Sequence, residues 1–150
     1  MSAKNPIRVY VTHCFASQSD YHRVFEYLES TANFFYVNCS SPDEVPQAGG
    51  KEALKEEYRR QIKQAEVVVV LSSMYVENEF WTSYQMDAAR AANIPLVALG
   101  FFGKAAKVPA AVVERAGETV EWNERQIADA ITHQARGEAT NRWETIEFKL

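Results

Sequence analysis

The most regular feature of the chain is a run without a polar residue, "VVVVL" from Val67 to Leu71. Five successive apolar, mostly β-branched positions offer no side to water, which fits a strand covered on both faces. With the serines that follow, this strand is expected over 67–73. Similar stretches recur at "IRVYVT" (7–12), "FFYVN" (34–38) and "IPLVALGF" (94–101), with a short fifth candidate at "ETVEW" (118–122). Helical spacing separates them. Tyr21, Val24, Phe25 and Leu28 predict a helix over 20–32, started by Ser19 or Asp20 as cap. Leu54, Tyr58, Ile62 and Ala65 predict the next, after the loop "CSSPDEVPQAGG" (39–50). A third surrounds "EFWTSYQMDAARAA" (79–92). "VPAAVVERA" (108–116) predicts a short helix with Pro109 in its first turn. "NERQIADAITHQA" (123–135) predicts the last, with Asn123 as cap.

Strands alternating with helices imply a parallel sheet with helices on both faces. The expected fold is α/β, a doubly wound parallel five-stranded sheet of flavodoxin-like type, in one domain over 1–150 with its core at about 7–135 and a tail at 136–150. In that tail Ile146, Phe148 and Leu150 alternate with polar residues. Such spacing predicts an extra edge strand at 143–150, or docking on a neighbouring subunit of a homo-oligomer.

One polar residue breaks the pattern. On the 79–92 helix, Trp81, Tyr84, Ala88, Ala91 and Ala92 form an apolar stripe, and Gln85 lies inside it. Burying an amide costs about 1–3 kcal/mol unless it is hydrogen-bonded, so the glutamine has a reason to be there. The helix begins beside a strand end, so Gln85 is expected next to the cleft that open α/β sheets form outside the carboxyl ends of their strands.

Composition narrows the chemistry. At 150 residues, 47% apolar and 24% charged, the chain suits one soluble domain. A net charge of −4 offers no basic field for nucleic acid. No apolar run is long enough to span a bilayer, and residues 1–6 carry no leader-like apolar region, so a cytoplasmic address is expected. Three histidines and two cysteines are scattered without metal-ligand spacing. His13 and Cys14 are adjacent and point to opposite faces, which argues against a nucleophilic pair. "THCFASQS" lacks the glycines of phosphate-binding loops and the acidic cluster of magnesium-dependent phosphoacceptors.

The loops at the strand ends supply the candidates. Thr12 and His13 end the first strand, and Phe15 follows in a loop, either stacking on a base or anchoring the loop. Asn38 ends the second strand and both donates and accepts, toward a ligand or within a turn. Trp81 lies one turn before Gln85.

These segments resemble the TIR-like domains of bacterial Thoeris-type antiphage defence. "IRVYVTHCF" looks like that family's first strand and loop, and "FFYVNCSSPDE" its second. "RRQIKQAEVVVVLSSMY" is similar to its passage into the third strand, and "FWTSYQMDAARAANIPLVAL" to the helix and strand that follow, with "VEWN" near the end. The resemblance covers roughly 7–135. It implies an NAD⁺ glycohydrolase or cyclase with NAD⁺ as substrate, no further cofactor, and an ADP-ribose-derived signal for a downstream effector. It implies Thr12, His13, Phe15, Asn38 and Trp81 as substrate contacts. It also places the catalytic glutamate four residues after the tryptophan, and there this chain has Gln85. The chain as written is therefore expected to be inactive, either as a non-catalytic relative or through replacement of a glutamate; the otherwise intact pattern favours replacement. A non-catalytic adaptor and a nucleoside deoxyribosyltransferase-like enzyme are the alternative readings.

Overall fold

All five residues of Val67–Leu71 are buried, and the strand they form lies at the centre of the sheet. The computed structural model describes residues 1–16 and 18–137. In chain order the elements are β1 (Ile7–Val11), α1 (Ser19–Glu29), β2 (Tyr36–Asn38), α2 (Gly50–Ile62), β3 (Val67–Leu71), α3 (Ser72–Glu77), α4 (Glu79–Ala91), β4 (Leu96–Leu99), α5 (Ala110–Arg115), β5 (Glu118–Val120) and α6 (Glu124–Arg136). The five strands pair in parallel in the order β2-β1-β3-β4-β5, the flavodoxin-like arrangement that the alternation predicts. The expected edge strand at 143–150 lies outside the described residues.

Side-chain alternation along the strands divides the core. Ile7, Val9 and Val11 of β1 join Val67, Val69 and Leu71 of β3 on one face, against Tyr21, Val24 and Leu28 of α1 and Ile127 and Ile131 of α6. Tyr10, Val68 and Val70 point the other way, against Tyr58 and Ile62 of α2 and Met86 and Ala89 of α4. Full burial of a large aliphatic side chain contributes about 1.5–3 kcal/mol, so two such clusters on a five-stranded sheet hold the strand ends in place.

Local chemistry moves several boundaries. Helix α1 stops at Glu29 because the hydroxyls of Ser30 and Thr31 both turn back to donate to Tyr27 O, each at 2.9 Å. Its cap is Gln18, whose side chain accepts from Tyr21 N, in place of Ser19 or Asp20. The Asp20 carboxylate instead accepts from Ser73 Oγ at 2.6 Å and pairs with Arg23. Pro109 is the cap of α5, one position before the helix. Asn123 caps α6 as expected, accepting from Gln126 N. Strand β3 ends at Leu71 rather than at residue 73, since Ser72 Oγ donates to Leu99 O and the chain turns into α3 there. Helix α3 escaped the pattern because six residues are too few to show a periodic stripe.

The stripe expected on α4 is rotated. Its buried positions are Thr82, Gln85, Met86 and Ala89, while Trp81, Tyr84 and Ala88 are half-buried and Ala91 and Ala92 are exposed. The sheet contact is made by Met86 and Ala89, which turns the Trp81 and Tyr84 side toward α2. Gln85 remains on the inward side in either phase.

Candidate functional site

In this strand order the direction of winding reverses between β1 and β3, and the segments after them, with the 39–49 loop after β2, surround the carboxyl ends. Helix α4 brings Gln85 to the loop after β1. Gln85 is fully buried. Its Oε1 accepts from Tyr10 Oη at 2.6 Å and from His13 N at 3.1 Å. Its Nε2 donates to His13 O at 2.9 Å and to Trp81 O at 3.0 Å. The backbone N–H of His13 can only donate and its carbonyl can only accept, so the orientation of the amide is fixed. All four valences of the amide are used inside the protein. Gln85 therefore lies at the strand ends, as its place on the helix predicts, but it is enclosed rather than open to a ligand. The surroundings also select an amide: a glutamate carboxylate in this conformation would set an oxygen against two carbonyl oxygens.

His13 is tied as completely. It is buried, and its carbonyl also accepts from Tyr58 Oη at 2.7 Å. The ring Nδ1 accepts from Phe15 N at 3.1 Å, which leaves the ring hydrogen on Nε2, donated to Gln61 Oε1 at 3.0 Å. Burial holds this imidazole neutral, its pKa lowered to about 4 against the partial support of Gln61 and Glu57. A neutral ring with both nitrogens occupied is a spacer, not a proton carrier.

Gln61 mirrors Gln85 from the other side. It is buried, and its Oε1 also accepts from Ser41 N at 2.8 Å. Its Nε2 donates to Ser41 O at 3.1 Å and to Glu57 Oε2 at 2.8 Å. The Glu57 carboxyl is held below the usual carboxylate range, first by its bond from Arg60. Two glutamines, on α4 and α2, thus clamp the backbone and the ring of one histidine, and Gln61 carries the tie on to the loop after β2. Gln61 was not among the expected residues. Its signal was available: it sits on the Tyr58–Ile62 stripe as Gln85 sits on its own.

Aromatic rings enclose this polar core. Phe15 adopts a left-handed backbone, φ 59°, rare for a bulky residue, and its ring lies 4.8 Å from His13 and 4.6 Å from Tyr58. Trp81 lies 5.5 Å from Tyr58. Phe15 and Trp81 are half-buried, so each keeps part of its surface toward solvent. His13, Phe15, Trp81 and Gln85 therefore form one cluster.

Thr12 and Asn38 stand apart from it. Thr12 is buried, and its Oγ1 accepts from Leu71 N at 3.2 Å, stitching β1 to β3. Asn38 is exposed at the end of β2. Its Oδ1 accepts from Ser40 N at 2.8 Å and from Ser40 Oγ at 2.5 Å, and its Nδ2 donates to Tyr21 Oη at 3.1 Å. It lines an open cavity of about 640 Å³ with Tyr21, His22, Ser40 and Asp43.

Neither cysteine is activated: burial pushes the thiols of Cys14 and Cys39 up, and both are free. Among the described residues no group of three or more His, Cys, Asp or Glu side chains is placed to hold a metal ion. No helix among them is long and apolar enough to cross a membrane.

Comparison with known proteins gives this architecture a family context. The family model described as "Thoeris protein ThsB, TIR-like domain" matches residues 10–105, more than half of the chain. Among solved structures, the 2-deoxyribosyltransferase of the psychrotolerant bacterium Bacillus psychrosaccharolyticus is similar at a TM-score of 0.52 and 13% identity, over 81% of this chain and 90% of that one. At that identity the likeness carries the fold alone. No curated protein matches the chain at a significant level.

Proposed function

The chain belongs to the Thoeris ThsB TIR-like domain family, and from that premise we propose that it is a nucleotide-binding module of antiphage defence that takes up NAD⁺ without cleaving it. The observation that carries this reading is the closed hydrogen bonding of Gln85. Breaking the bond between ribose and nicotinamide builds positive charge on the sugar. An anion beside the ribose stabilises that charge, and removing one such electrostatic group costs about 2.7–4 kcal/mol, or 10²–10³ in rate. A neutral amide with its dipole committed to Tyr10, His13 and Trp81 supplies no such anion. His13, neutral and doubly bonded, supplies no acid or base.

The fit of the amide to its surroundings supports a non-catalytic relative over a replaced glutamate. Both of its donors meet carbonyls, an arrangement made for an amide. Phe15 and Trp81 offer ring surfaces for the bases, and Asn38, beside the open cavity at the end of β2, offers the one Nδ2 hydrogen that its bonds to Ser40 and Tyr21 leave, as a donor to a ribose hydroxyl. Thr12 and His13 act behind them, holding the β1 end in register. On this reading the chain as written makes no ADP-ribose-derived signal, and its effect on a downstream effector comes through the bound state.

Titration calorimetry with NAD⁺ tests the binding half. Saturable binding that weakens with Phe15→Ala is expected. Absence of binding by the folded protein rejects the nucleotide reading and leaves the adaptor reading.

A further inference from the structure

The outer edge of β2 is open and apolar. Phe35 and Cys39 bond inward to β1, with Phe35 O accepting from Ile7 N at 2.9 Å and Cys39 N donating to Val9 O at 2.7 Å. Strand alternation therefore turns the N–H and C=O groups of Tyr36 and Asn38 to the outer edge, where neither residue has a backbone partner among the described residues. Tyr36 packs into the α1 side of the core and Cys39 into the α2 side, so Phe35, Val37 and Cys39 share the α2 side. There Phe35 is 39% exposed and Val37 46%. An edge with free backbone groups and large apolar side chains is a template for one more strand. The chain holds a segment of matching pattern: Ile146, Phe148 and Leu150 repeat at the same spacing of two, with Glu147 and Lys149 between them.

We propose that the occupant of this edge is the same chain's own C-terminal segment, residues 146–150, added as a parallel strand with Ile146, Phe148 and Leu150 beside Phe35, Val37 and Cys39. The starting point fits. Helix α6 ends at the amino-terminal side of the sheet, where Arg136 Nη2 donates to Pro6 O at 3.2 Å, just before β1, and to Glu66 Oε2 at 2.8 Å, just before β3. A strand begun from there runs parallel to the other five. The direction fits as well. Helix α6 packs on the same face as α1, and the crossover from β1 through α1 to β2 on that face steps toward the β2 edge. Crossovers between parallel strands are right-handed in about 98% of cases, so one leaving β5 through α6 steps the same way. Every place in that direction is filled as far as β2, and its outer edge is the first free one. The rival edge at β5 would require the opposite hand. The length suffices: from β1 to the place beyond β2 is two strand spacings, about 10 Å. Residues 138–145 extend to about 26 Å, enough for that and for the reach of the Arg136 side chain. Reach and hand together select this chain's own segment over that of a second copy.

Amide hydrogen exchange of the full chain, read residue by residue by NMR at two protein concentrations with sedimentation alongside, tests this. The amides of Tyr36 and Asn38 are expected to exchange at least tenfold more slowly than in an open chain, equally at both concentrations. Phe148→Lys should abolish that protection and Phe148→Leu should keep it, while the Val69 amide on the central strand stays protected in both and shows the fold intact. Three results overturn the proposal: Tyr36 and Asn38 amides that exchange freely in the parent, protection indifferent to Phe148→Lys, or protection that grows with concentration together with a dimer, which would assign the edge to a second copy.

Discussion

The side-chain amide of Gln85 holds both backbone groups of His13, accepting from its N–H at 3.1 Å and donating to its carbonyl at 2.9 Å. A side chain on α4 thereby completes, for the second residue past β1, the backbone pairing that a neighbouring strand would otherwise supply.

This clamp makes Gln85→Glu a test of the pocket. The ionised side chain would face the carbonyls of His13 and Trp81, so burial and those dipoles raise its pKa in the folded state above the ordinary value of about 4.3. A carboxyl with a raised folded pKa is tolerated while protonated, and the variant loses stability as pH rises above about 4.3. Its deficit against the parent should be small near pH 4.5 and reach about 2 kcal/mol or more at pH 7, the cost of an unpaired buried group. Urea titrations at the two pH values read this directly. A deficit that shrinks toward pH 7 would show the carboxylate to be accommodated.

His13 gives a pH dependence of its own. Its folded pKa, lowered to about 4, lies below the unfolded value of about 6.5. The unfolded chain therefore takes up a proton first, and the contribution of the neutral ring is complete above about pH 6.5 and lost as pH falls toward 4. Between pH 7 and pH 5 the loss is about 2 kcal/mol. A His13→Asn variant should show a slope flatter by that amount in urea titrations. Equal slopes for both proteins would remove the buried neutral imidazole from the account.

Tyr10→Phe probes the same node from the sheet. The change deletes the hydroxyl that donates to Gln85 Oε1 at 2.6 Å and leaves that oxygen its bond from His13 N. The expected cost in thermal or urea unfolding is about 0.5–1.5 kcal/mol. A neutral substitution would mean that Gln85 is held without Tyr10.

Much of this was legible in the chain. The Val67–Leu71 run marked the central strand, and the alternation of strands and helices gave the parallel sheet, because burial on two faces leaves a continuous apolar signature. Gln85 stood out as a polar residue on an inward face. Its partners did not, since Tyr10 Oη, His13 N and Trp81 O come together only through the packing of α4 on β1, at sequence separations of 75 and 72 for the first two. Helix periodicity gave the right faces with a phase error of about one residue, which is why Trp81 reads as core in the sequence and as a half-buried flank in the fold. The cap at Gln18 was hidden because glutamine is not among the preferred capping residues.

Phe15 should separate binding from stability. Its backbone is left-handed, so Phe15→Gly relieves local strain while removing the ring, and Phe15→Ala removes the ring alone. Both should weaken NAD⁺ binding in calorimetry, by about tenfold for a lost stacking contact of about 1–1.5 kcal/mol. Only Phe15→Gly should leave unfolding unchanged or improve it. Binding equal to the parent in both would take the ring out of the site.

With a committed amide at position 85, the chain is expected to take up NAD⁺ and leave its glycosidic bond intact. Nicotinamide release from NAD⁺ tests it most directly, followed by chromatography with the purified full chain, with and without infected-cell extract, the release by extract alone being subtracted. No nicotinamide above the uncatalysed background is expected in either condition. Sustained release by the chain with Gln85 in place would contradict it.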